Sequence, residues 1–173
     1  MAIVSGADGS AYVTGSTTSS NFPTLDPLQG YSAAEDAYIL KLSPAGDALL
    51  YSTFLGGSAD DKGLGIALDG QERIAVVGET ESSNFPAVSA YDSSYGGGSC
   101  ASGPCDDVFV AELTPDGSAL RYSSYLGSSQ DEEGEEIAVD ANGVLHLAGW
   151  TQSSGFPTLN GFDTTFGGGS CSG

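Results

Sequence analysis

Asp36-Ala-Tyr-Ile-Leu-Lys-Leu42 and Asp107-Val-Phe-Val-Ala-Glu-Leu113 are one phrase written twice, 71 residues apart (36 to 107). The segments that follow them also match: Leu50-Tyr-Ser-Thr-Phe-Leu-Gly56 and Arg121-Tyr-Ser-Ser-Tyr-Leu-Gly127. Upstream, Asn21-Phe22-Pro23 recurs as Asn84-Phe85-Pro86 and, with one change, as Gly155-Phe156-Pro157. The first offset is 63 (22 to 85) and the second is 71 (85 to 156). A unit of this length cannot bury its own apolar face. It must stack on neighbours, so the repeat decides the architecture before any single motif does.

Each copy is made of short apolar runs separated by turn residues. In the second, Leu64-Gly-Ile-Ala-Leu68 and Arg73-Ile-Ala-Val-Val77 flank Asp69-Gly70. A Ser/Asn/Pro/Gly stretch over 79–106 comes next, and Val108–Leu113 and Ala119–Tyr125 follow, joined by Thr114-Pro-Asp-Gly117. Runs of β-branched and aromatic residues bounded by Asp-Gly, Asn-Gly or Pro-Asp-Gly are the signature of strands and hairpins. No sustained i, i+3, i+4, i+7 pattern is present, so no long helix is expected. Four strands per copy predict an all-β chain of β-propeller blades, each a four-stranded antiparallel sheet. In the second blade the inner strand a falls at 66–68, b at 73–78, c at 108–113 and d at 119–126. Pairs a–b are expected at roughly 2–15, 64–78 and 135–149, and pairs c–d only at 36–55 and 107–126. The chain therefore reads as about two and a half blades of one partial propeller domain spanning 1–173, with repeats at 2–63, 64–134 and an incomplete 135–173.

The chain resembles the bacterial β-propeller repeat family known as SBBP repeats. The resemblance rests on Tyr51-Ser-Thr-Phe-Leu-Gly-Gly-Ser-Ala-Asp-Asp61, Gly65-Ile-Ala-Leu-Asp69, Ala11-Tyr-Val-Thr-Gly15, Phe22-Pro-Thr24 and Asp36-Ala-Tyr-Ile-Leu-Lys-Leu-Ser-Pro-Ala-Gly46, in that family's order. It implies a propeller in an exported bacterial protein. It implies no known reaction and supplies no catalytic residue.

Propellers close into rings of four to eight blades, and two and a half blades would leave long unpaired edges. The chain is therefore expected to be a piece of a longer propeller, the alternative being a protomer that closes a ring by self-association. The cysteines point the same way. Gly96-Gly-Gly-Ser-Cys100 is followed by Cys105, whereas Gly167-Gly-Gly-Ser-Cys171 lies at the end of the sequence. Cys100 and Cys105 read as a small loop disulfide, with Cys171 separated from its partner. Free thiols are the alternative, and a metal pair would need a second pair to complete it.

Four basic residues stand against 23 acidic ones, a net charge of −19. Nucleic-acid affinity rests on cationic contacts, so a nucleic-acid partner is excluded, and an anionic membrane surface is disfavoured. No apolar run is long enough for a transmembrane helix, and no signal peptide is present in the sequence. A disulfide places the protein outside the cytoplasm: extracellular, periplasmic or at a bacterial cell surface.

The acidic segments are the first candidates for chemistry. Asp60 and Asp61, in the link between strand d and the next strand a, align with Asp131, Glu132 and Glu133. Calcium favours carboxylates on a flexible loop, so these five are candidate calcium ligands, although the spacing matches no calcium loop and a capped polar turn serves as well. His146, the sole histidine, falls in strand b and reads as a packing or surface residue; a serine triad would need it, and no Gly-x-Ser-x-Gly elbow accompanies it. Trp150 aligns with Ser16 and Glu79, so the fold does not demand it, and it is a candidate ligand contact. Phe22, Phe85 and Phe156 recur and are expected to plug the gaps between blades. Glu135 and Glu136 break the repeat, but adjacent strand residues point to opposite faces and would not act as one acid–base pair.

These features point first to a non-catalytic exported scaffold: an adhesin, a surface or fibre component, or an accessory subunit. Its partners would be a protein or the remaining blades. The alternatives are a carbohydrate-active hydrolase or lyase with its site at the ring mouth, and a calcium-stabilised binding module.

Overall fold

The computed structural model describes residues 1–32, 35–101 and 103–168, and the expectation for Cys171 lies outside them. Twelve strands are found there: β1 (Ala2–Ser5), β2 (Ala11–Thr17), β3 (Asp36–Leu42), β4 (Leu49–Leu55), β5 (Asp61–Leu68), β6 (Ile74–Thr80), β7 (Ser99–Cys100), β8 (Gly103–Pro104), β9 (Asp107–Leu113), β10 (Leu120–Leu126), β11 (Glu132–Val139) and β12 (Leu145–Thr151). No helix occurs among the described residues.

The strands form antiparallel meanders. The first sheet runs β1-β2-β3-β4 and the second β5-β6-β9-β10, while β11 and β12 pair as a third sheet and β7–β8 make a small ribbon. The registers repeat with the sequence. Thr17 faces Asp36, Gly15 faces Tyr38 and Ala11 faces Leu42; Thr80 faces Asp107, Gly78 faces Phe109 and Ile74 faces Leu113.

The expected strands are present, with their bounds shifted by a few residues. The largest shift is in strand a. The carboxylates read as belonging to linking loops, Asp61 and Glu132-Glu133, lie inside β5 and β11. Each is prolonged by a bulge, at Gly63/Gly65 and at Gly134/Glu136. The bulge accommodates polar residues that the apolar pattern excluded from the strand. It also breaks strict alternation there, and Glu135 and Glu136 are both exposed.

Turn chemistry explains the hairpins. Gly46 and Gly117 close the Ser43–Gly46 and Thr114–Gly117 turns with φ of 73° and 68°. The long segments that follow the second strand of each repeat share one feature: Asp26, Ser89 and Asn160, one per copy, all hold a left-handed backbone. Leu25 and Val88 then bridge to Ser52 and Ser123 on the outer strands, which partly covers those edges.

The sheets stack face to face. β5 packs on β1, β2 and β3, and β11 packs on β5, β6 and β9. The middle sheet is thus buried on both sides, which is why β6 and β9 read as continuous apolar runs. Ile74, Val76, Phe109, Ala111 and Leu113 join Tyr12, Ala37, Ile39, Tyr51 and Leu55 in the core against the first sheet. Ala75, Val77, Val108 and Val110 turn the other way, toward Ile137 of the third. Phe85 fills the gap between the first two sheets, 3% exposed and stacked on Phe109 at 4.6 Å. Its counterpart Phe22 sits on Tyr38 at the same 4.6 Å, on the open side of the first sheet.

Candidate functional site

The chemistry-bearing side chains gather at one end of the stack, where strands of the β5 type begin and those of the β6 type end. Two carboxylates meet at each junction between sheets. Asp36 and Asp61 converge beside Gly56, where an added Cβ would lie 2.8 and 2.6 Å from their oxygens. Asp107 and Glu132 converge beside Gly127 in the same way, at 2.5 and 2.9 Å. All four are fully buried.

Their oxygens are already engaged. Asp61 accepts from the Gly57 N–H at 2.7 Å, the Ser82 hydroxyl at 2.8 Å and the Thr80 hydroxyl. Asp107 accepts from the Gly96 and Gly97 N–H groups at 2.6 and 3.2 Å. Glu132 accepts from the Ser128 N–H at 2.8 Å and the Thr151 hydroxyl at 2.7 Å. Burial pushes the Asp61 and Asp107 carboxyls up to about 6, and the neighbouring Asp36 and Glu132 carboxylates push the same way. Burial without a cation favours the neutral form, since charge in a low dielectric is costly.

Around these pairs lies a more accessible acidic rim. Lys62 bonds Glu79 at 2.7 Å. Asp106 is raised to about 7 by burial and by Glu79 and Glu81, with Asp131 adding to the effect and Lys62 opposing it. Glu133 is raised by burial and by Glu79, while Trp150 draws it down. The other three basic residues lie at the opposite end, where Lys41 reaches Asp8 and Glu72, and Arg73 and Arg121 share Glu112.

The five candidate calcium ligands are therefore divided by their surroundings. Asp61 and Glu132 are buried in the junctions. Asp60, Asp131 and Glu133 stand on the rim, half-buried. Cys100 and Cys105 are joined in a disulfide. The Asp131 carboxylate lies within 4.8 Å of both sulfurs; being bonded to each other, they offer no thiolate to a metal. His146 is exposed on β12, its Nε2 3.6 Å from Asp140.

Trp150 is 41% exposed and borders an apolar hollow of about 330 Å³ between the second and third sheets, lined also by Val108, Leu126, Leu147, Gly149 and Phe156. Sequence reasoning missed this hollow and the rim residues Lys62, Glu79 and Asp106. The repeat offset held a signal for the first: Val108 and Leu126 are the counterparts of Ala37 and Leu55, which are fully buried.

No protein-family model matches this chain, and no curated protein matches it either. No helix among the described residues is long and apolar enough to cross a membrane.

Proposed function

We propose that the chain is a β-propeller repeat module of the SBBP kind, exported from a bacterial cell, that acts as a non-catalytic structural or interaction scaffold. One observation carries this reading. The buried carboxylates, the most chemically conspicuous groups in the molecule, recur from one junction to the next and are saturated by backbone N–H groups and hydroxyls of the same junction. Repetition with saturation is the mark of a tie between blades, since a catalytic group needs an oxygen free for substrate. The disulfide supports an oxidising compartment, and the stacked four-stranded meanders support the blade reading.

The rim favours a second reading, a carbohydrate-active site. Asp106 at about 7 sits among Glu79, Glu81 and Asp131, and Trp150 stands exposed on the same rim. One pair of measurements separates the two: release of reducing sugar from a panel of polysaccharides, and the melting temperature, for the wild type, Glu132→Gln and Asp106→Asn. The scaffold reading expects no sugar release and a melting temperature altered by the junction variant. Hydrolysis by the wild type that Asp106→Asn abolishes at an unchanged melting temperature would replace it with the enzyme.

A further inference from the structure

The two buried junctions are held alike but closed differently. At the first, Ser32 donates its backbone N–H to Asp36 across four positions, and the N–H of Asp61, the first residue of β5, bonds the Glu35 carbonyl at 2.8 Å. At the second, the Gly96 N–H reaches Asp107 across eleven positions, and the N–H of Glu132, the first residue of β11, bonds the Asp106 carbonyl at 2.9 Å. The buried ends match, so the longer second link must leave the junction and return to it. The excursion is the β7–β8 ribbon, and it lies where the repeat offset grows from 63 to 71.

The Cys100–Cys105 disulfide clasps the foot of that ribbon, with the Cα atoms 5.1 Å apart. Its surroundings are the junction itself. The Tyr95 hydroxyl donates to the Cys105 carbonyl, and the Cys105 N–H donates to the Gly98 carbonyl at 3.4 Å. Gly96 and Gly98 lie against the link into β11, where an added Cβ would stand 2.7 Å from the Ser128 carbonyl oxygen and 2.5 Å from that of Ser129. The clasped loop thus presents the Gly96 and Gly97 donors to the buried Asp107 and seats the first residue of β11. An unclasped loop holds that arrangement less well, because closing a longer loop costs more chain entropy. The short link of the first junction needs no clasp.

We propose that Cys100–Cys105 is a redox latch: a dithiol reductant opens it, and with it the tie between the second and third sheets, while the tie between the first and second stays shut. The proposal rests on the repeat-scaffold reading above and names what regulates one of its junctions. Exposure decides the course of the reaction. Cys105 is fully buried and Cys100 half-buried, so a thiolate of the reductant attacks the Cys100 sulfur. The S–S bond breaks, and the Cys105 sulfur leaves as a thiolate and takes up a proton. The second thiol of the reductant then displaces Cys100 from the mixed disulfide. The products are a cyclic disulfide and two free cysteines, with two electrons passed from the reductant to the chain.

Amide hydrogen exchange of the intact chain, before and after equilibration with dithiothreitol, tests the latch, and the first junction is the internal control. Reduction should speed exchange at Gly96, Gly97 and Glu132 about tenfold or more and leave Ser32 and Asp61 within about twofold. The melting temperature should fall by about 5 °C. The double variant Cys100→Ser/Cys105→Ala should behave as the reduced chain and respond no further to dithiothreitol. Unchanged exchange at Gly96, Gly97 and Glu132 overturns the inference. Equal loosening of both junctions also overturns it, since the disulfide would then be a general staple. So does a thermal response of the double variant to the reductant, which would place the reduced bond elsewhere. Polysaccharide hydrolysis would sink the scaffold reading without moving these exchange rates, so the two failures are distinguishable.

Discussion

The junction carboxylates make stability depend on pH in a direction opposite to that of an ordinary ion-paired carboxylate. Asp61 and Asp107 hold their protons up to about 6 in the folded chain, against an ordinary value of 3.8. The folded state therefore binds more protons than the unfolded state between those limits, and stability must rise as pH falls through that window. It is complete below the unfolded value and lost as pH rises through about 6. Integrated from about pH 7.5 to about pH 5, each carboxyl contributes about 1.3 kcal/mol. Two give about 2.5 kcal/mol, or about 5–10 °C in melting temperature for a chain of this size. Relief of the −19 net charge acts in the same direction, so the wild-type slope alone does not isolate the pairs. Asp107→Asn does. It keeps an acceptor for the Gly96 N–H and presents an amide donor toward Glu132 at the cost of the longer Gly97 N–H contact, so the variant should lie within about 1 kcal/mol of the wild type at about pH 7.5 and lose about half of the gain on acidification. Urea melts of both proteins across that range measure it. An unchanged pH slope in Asp107→Asn, or a wild type that weakens on going from about pH 7.5 to about pH 5, would refute the reasoning.

Phe85→Ala should cost about 3–5 kcal/mol, because the ring is buried against Phe109 and Tyr125; a loss below about 1 kcal/mol in chemical denaturation would mean that the sheets close over the gap. Glu72 holds a φ of 58° at the position of Gly9 and Gly143, and its carboxylate accepts from the Ala7 N–H at 3.2 Å and lies 4.0 Å from Lys41. Strain of about 1 kcal/mol and exposed polar contacts of similar size offset each other, so Glu72→Gly should leave stability within about 0.5 kcal/mol of wild type, as read from denaturant midpoints. A chelator should leave the melting temperature unchanged, since the buried oxygens of Asp61 and Glu132 already accept hydrogen bonds; a fall in chelator reversed by calcium would restore the calcium-stabilised module.

The ten long strands, their order and their hairpin positions were legible in the sequence because each follows from local rules; the short β7–β8 ribbon was not. Short β-branched and aromatic runs between Pro-Asp-Gly and Asn-Gly turns fix a meander, and repetition of Asp-x-aromatic at 36–38 and 107–109 fixes which strands are equivalent. The loop cysteines, five positions apart, were legible as a disulfide for the same reason. The acidic segments were not. Asp61 and Glu132 read as solvated loop residues because hydropathy assigns carboxylates to water. Only stacking brings Asp36 beside Asp61 and Asp107 beside Glu132, across 25 residues of chain in each pair (36 to 61, 107 to 132). Local sequence therefore determined the sheets, through turn geometry and short runs of β-branched and aromatic residues. Tertiary structure alone decided which carboxylates are buried together, because that depends on how one sheet lies on the next.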